Sequence, residues 1–129
     1  MTGTRIFLIV SVLLWLPYGL YCTFAPGYLG EVAGVVGSTA TGITEIRAMY
    51  GGLQAGLGAM CLFALMRPEF ARSALIALCF LAGGLFLARA IGFTLDGSGS
   101  GYTYGALVFE SSYALIAGYM ARETVPPGT

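Results

Sequence analysis

ITEIRAMYGGLQAGLGAMCLFALM, residues 43–66, is the stretch that decides what kind of protein this is. Most of it is apolar. Its length matches the roughly 20 residues that cross a hydrocarbon core of about 30 Å at 1.5 Å per residue. Yet it opens with a carboxylate, Glu45, and carries Arg47 and Gln54. The whole chain of 129 residues has only six arginines and six carboxylates, so charges inside such a stretch need a reason. Hydrophobic residues make up 57% and charged residues 9%. A soluble domain carries about 25% charged residues. A surface this apolar aggregates in water and is ordinary in lipid.

Three further apolar segments have comparable length: 6–24, 73–95 and 102–120. In hydrocarbon the backbone must satisfy its own hydrogen bonds, so all four are read as helices. The sequence therefore predicts an all-α fold: a single integral membrane four-helix bundle over residues 1–129. Between the spans, RPEF (67–70) reads as a tight turn and DGSGSG (96–101) as a flexible polar one. Residues 25–42 are too polar and glycine-rich to span, and YLGEVAGVV within them reads as a short interfacial helix. The first segment is long for a secretion signal, and Pro26 follows its candidate cleavage point, so it is read as a retained helix. Pro17 inside it is expected to kink the helix or to be accommodated by Ser11 or neighbouring helices. Arg5, Arg67, Arg72 and Arg122 fall on one side of the spans, and the connector 25–42 and loop 96–101 hold none. The positive-inside rule then puts both termini in the cytoplasm and those two loops outside.

The chain has no His and no Lys. Cys22, Cys61 and Cys79 show no metal-ligand spacing, and Cys61 and Cys79 lie in apolar runs where Cys acts as a small hydrophobe. No metal or cofactor is expected. Zero net charge leaves no basic surface for nucleic acid.

The ionisable residues within or beside the spans have plain readings and functional ones. Glu45 suits a first helical turn, where a carboxylate complements the dipole, and Asp96 suits a turn start. Arg47 lies less than a turn inside its span and can snorkel to headgroups. Arg89 and Glu110 are deeper, at about 10 and 12 Å from the outer loop by the helical rise. Their segments flank DGSGSG, so they are expected to pair at similar depth. Folding the second and third segments about Pro68 and Glu69 brings Arg89 level with Tyr50 and Arg47 level with Gly92. Arg47, Tyr50, Gln54 and Gly58 share a helical face. Glu45, Arg47, Tyr50, Gln54, Arg89, Asp96 and Glu110 are thus read as one polar cluster in the outer half of the bundle. Intramembrane polar groups point to function, and a buried network that fixes helix register is the competing reading. Small residues let membrane helices approach closely. The expected packing positions are Gly51, Gly52 and Gly56; Gly84, Ala88 and Gly92; and Ala114 in the face Ala106, Glu110, Ala114, Ala117 and Ala121.

TEIRAMYGGLQAGLG (44–58), ARAIGFTLDG (88–97) and Glu110 in the last segment resemble the DUF4345 family of small bacterial membrane proteins. The resemblance runs over roughly residues 5–122, and E-x-R-A-x-Y-G-G is its specific part. It implies four membrane helices, distantly similar to DoxX-like proteins, and points to Glu45, Arg47, Tyr50, Gly51, Gly52, Arg89, Gly92, Asp96 and Glu110. It supplies no reaction.

Two functions compete. Two arginines and one deep glutamate make the inner cluster net positive, and Arg holds carboxylate or phosphate in a bidentate fork. That suits a lipid-like or anionic small ligand. A chain this small with many Gly and Ala also suits an accessory subunit, packed in a homo-oligomer or a larger membrane complex. An enzyme is not expected: Ser111 and Ser112 follow Glu110, but no His or Lys is present to activate them. A transporter is disfavoured by the absence of an internal repeat. The expected location is the inner, cytoplasmic membrane of a bacterium, crossed several times.

Overall fold

The computed structural model describes residues 2–125. It is helical throughout, with no strand among the described residues. Helix α1 is Thr2–Phe24, α2 is Tyr28–Ala33, and α3 (Ala40–Ile46) runs through a π-helical segment, Arg47–Gly52, into α4 (Leu53–Met66). A 3₁₀ turn at Pro68–Phe70 precedes α5 (Ala71–Asp96), and α6 is Gly101–Glu123. Three helical stretches are long and apolar enough to cross a membrane: Thr2–Phe24, Ala40–Met66 and Pro68–Asp96. Helix α6 has comparable length, 23 residues, but its Thr, Ser, Tyr and Glu side chains keep it out of that group. The short connector helix is present as α2, and it stops at Gly34, whose φ of 70° ends it in the left-handed region.

The chain divides into two compact units, 1–68 and 69–129. In the first, α1 presents a buried stripe of Leu8, Ser11, Trp15, Gly19 and Cys22, spaced three or four apart. Opposite stand Gly51, Gly58, Cys61 and Ala64. The backbones nearly touch. A Cβ on Gly19 would lie 2.2 Å from the Ala55 nitrogen, one on Gly51 2.2 Å from Thr23 Oγ1, and one on Gly58 2.5 Å from the Leu16 nitrogen. In lipid, this contact gains van der Waals energy where hydrophobic transfer gains little. The close approach therefore runs along the expected Gly51 and along Gly58, and leaves out the expected Gly52 and Gly56. A Cβ on Gly56 meets nothing within 4 Å, and one on Gly52 meets only the Arg47 carbonyl at 3.9 Å. Helix α1 continues through Pro17, so that residue does not end it. The Ser11 hydroxyl donates to the Phe7 carbonyl at 2.8 Å.

The second unit is an antiparallel hairpin of α5 and α6. Helix α5 buries Ala71, Ala74, Leu75, Leu78 and Ala82. Continuing that stripe by seven residues reaches Arg89. Gly84 is two residues beyond Ala82, about 200° around the helix, and Ala88 is about 100° from Arg89. This is why both are exposed instead of lying on the packing face, while Gly92 is half-buried. On α6 the buried residues are Thr103, Glu110, Tyr113, Ala117 and Ala121, so Tyr113 takes the place expected of Ala114, which is half-buried. At the far end from the loop, Arg72 Nε donates to the Ala121 carbonyl at 3.2 Å. The loop is capped. Gly97 has a φ of 65°, Ser100 Oγ accepts from the Thr103 amide at 3.2 Å, and the hydroxyls of Ser98 and Thr103 are 2.7 Å apart.

Candidate functional site

Glu110 occupies a place in the buried stripe of α6, so its carboxylate needs compensation where it stands. Arg89 supplies it from α5. Arg89 Nη2 donates to Glu110 Oε1 at 2.8 Å. Arg89 Nε lies 3.2 Å from Oε1 and 3.1 Å from Oε2. Both carboxylate oxygens accept, and the guanidinium is fixed in its plane. The guanidinium carbon is 5.7 Å from the centre of the Tyr102 ring, within cation–π range. Burial is unequal: the Glu110 side chain is 6% exposed and that of Arg89 28%. Near the loop, Phe93 and Tyr104 meet edge-to-face at 5.6 Å, which continues the same hairpin register.

Arg47 does a different job in the other unit. Its Nη1 donates to the Thr23 carbonyl in the last turn of α1. That carbonyl has no acceptor role left within its helix, and a cation at a helix C-terminus is favourable. The π turn sits where the two rods meet: the Leu53 amide donates to the Ala48 carbonyl, five residues back. The extra residue in that turn lets Gly51 lie against Thr23 while Arg47 reaches its carbonyl. Such single π turns occur often at functional positions. Tyr50, beside them, packs half-buried against the cluster of Cys22, Leu29 and Ile46.

The remaining expected residues are divided between the two units. Thr39 caps α3 by accepting from the Gly42 amide at 3.0 Å, so the helix starts at Ala40, three residues before the expected 43. Glu45 is consequently beyond the first turn and exposed, without the dipole role expected of it. Arg47 is deeper in its helix for the same reason. Gln54 Oε1 is enclosed and lacks a hydrogen-bond partner among the described residues. Asp96 ends α5, exposed, its Oδ2 3.5 Å from where a Gly92 Cβ would be. Glu45, Arg47, Tyr50 and Gln54 thus belong to the first unit, and Arg89, Asp96 and Glu110 to the second. Reading the residues one by one missed Thr23 and the Ser98–Ser100–Thr103 cap. No group of three or more His, Cys, Asp or Glu able to hold a metal ion occurs among the described residues.

The segment carrying Glu45, Arg47, Tyr50, Gly51 and Gly52, the Arg89–Asp96 stretch and Glu110 all fall inside one match, to the domain of unknown function DUF4345, over residues 3–121. The chain belongs to the DUF4345 family. No curated protein and no solved structure matches it. Within this DUF4345 chain, the matched region takes in both the Arg47–Thr23 contact and the Arg89–Glu110 pair.

Proposed function

We propose that this protein is a four-helix integral membrane protein of the bacterial inner membrane, with both termini cytoplasmic and α2 at the outer interface. Its Arg89 guanidinium is held for a lipid-like or anionic small molecule. The observation that carries this reading is the unequal burial of the pair. Glu110 is enclosed at 6% exposure, while 28% of the Arg89 side chain is accessible. A carboxylate buried beneath a cation orients it, and the Tyr102 ring at 5.7 Å adds an amphipathic wall. An arginine fixed in this way suits carboxylate or phosphate better than a mobile lysine would.

A second reading has its own support. Both Glu110 oxygens accept from Arg89, which is what a self-contained pair fixing the α5/α6 register needs. The chain would then be an accessory subunit of a larger membrane complex. Native mass spectrometry of protein extracted gently in its own lipid separates the two. Ligand binding predicts a defined small adduct on the wild type that disappears in Arg89→Gln. An adduct-free wild type with a fixed stoichiometric protein partner supports the accessory role instead.

A further inference from the structure

We propose that Arg47 is a binding site for the phosphate of a phospholipid headgroup at the outer-facing end of the first unit. This rests on the membrane reading above but concerns a different residue, in the other unit.

Arg47 and Arg89 differ in compensation. Arg89 has a carboxylate; Arg47 has only the Thr23 carbonyl among the described residues. One N–H of its guanidinium is anchored there, and the Nε and Nη2 side of the fork is unpartnered and exposed. The acidic residues of the same end, Glu31 and Glu45, do not pair with it and stand exposed. A fixed guanidinium with one open edge, in a stretch apolar enough to cross a membrane, needs an anion, and phosphate fits that edge bidentately.

Depth identifies the anion. From Met66, the rise of the rod brings Arg47 about 28 Å away, close to the roughly 30 Å of a hydrocarbon core. From Arg5, the rise of α1 brings Thr23 about 27 Å away. Both helices therefore reach the second membrane surface where Arg47 meets Thr23, at the level of lipid phosphates. The aromatic residues there agree. Tyr21 is 53% and Phe24 79% exposed, and Tyr21 meets Tyr28 edge-to-face at 5.2 Å. Exposed aromatics at this level are what a headgroup belt requires.

The test is lipid retention by native mass spectrometry of detergent-solubilised wild type, Arg47→Gln, Arg47→Lys and Arg89→Gln. Each is titrated with phosphatidylglycerol, with diacylglycerol, and with phosphatidylglycerol against excess inorganic phosphate. The expected result is retention of phosphatidylglycerol by wild type and Arg89→Gln, about tenfold weaker retention by Arg47→Gln, and no retention of diacylglycerol. Arg47→Lys keeps the charge and can still cap Thr23, so it guards against simple misfolding; it should retain lipid at an intermediate level, having lost the fork. Equal retention by wild type and both Arg47 variants overturns the site. Equal retention of diacylglycerol overturns the phosphate assignment, and displacement by millimolar inorganic phosphate overturns the lipid one. Protein that stays monomeric in water without detergent overturns the membrane reading instead.

Discussion

Replacing the two members of the Arg89–Glu110 pair separately should have unequal effects, and the inequality follows from their burial. Arg89→Leu strands a carboxylate whose side chain is 6% exposed, with both oxygens deprived of donors. Removing one partner of a buried pair costs about 3–5 kcal/mol. Glu110→Gln leaves an amide oxygen that can still accept from Arg89, and the guanidinium is 28% exposed, so water or headgroups reach it. The loss there is one charge-assisted bond, about 1.5–3 kcal/mol. The double variant Arg89→Leu, Glu110→Gln strands neither charge and should cost less than Arg89→Leu alone. The resulting coupling is about 2 kcal/mol, inside the range for contacting residues. Reversible unfolding in mixed micelles, followed by circular dichroism as the denaturing detergent fraction rises, reads all four corners of the cycle. Additivity within about 0.5 kcal/mol, or a larger loss for Glu110→Gln than for Arg89→Leu, would refute the reasoning.

Other outcomes follow from the same structure. Gly51→Ala and Gly58→Ala should each cost about 1–3 kcal/mol in that unfolding assay, because the new methyl lies 2.2 Å from Thr23 Oγ1 or 2.5 Å from the Leu16 nitrogen. Gly56→Ala has no neighbour within 4 Å and should gain up to about 1 kcal/mol of helix propensity. Gly97→Ala should destabilise the hairpin by about 1–2 kcal/mol, the cost of a side chain at its φ of 65°, measurable by the same unfolding. A cysteine at the exposed Gly99 should react with a membrane-impermeant maleimide added outside intact cells; labelling only after the cytoplasm is opened contradicts the orientation.

The helical rods were legible because the apolar runs already had close to their length. Their ends were less so. Thr39, four residues before the apolar run at 43–66, sets the start of α3 through a cap whose strength hydropathy does not register. Arg89 and Glu110 were readable together because each sits at a similar distance from the loop, and the structure sets them 2.8 Å apart. The packing face of the second rod was readable only in part: Gly51 was expected on it, and Gly58 was not. Gly51 and Gly52 are adjacent, and a face counted at 3.6 residues per turn fails across a π turn, where one extra residue rotates everything after it. Gly52 and Gly56 were favoured by the familiar spacing of four, while the contact follows Gly51, Ala55 and Gly58. The partner of Arg47 was hidden for a different reason: it is a backbone carbonyl at a helix end, which side-chain patterns do not display.

The most direct test of the central claim is an experimental structure of the protein in native-lipid nanodiscs, read at the Arg89 guanidinium. The account predicts non-protein density within hydrogen-bond distance of Arg89, beside Tyr102, with Glu110 still holding the guanidinium from beneath. A guanidinium enclosed by protein alone, closed to lipid and solvent, would contradict the binding role and leave the pair as a structural one.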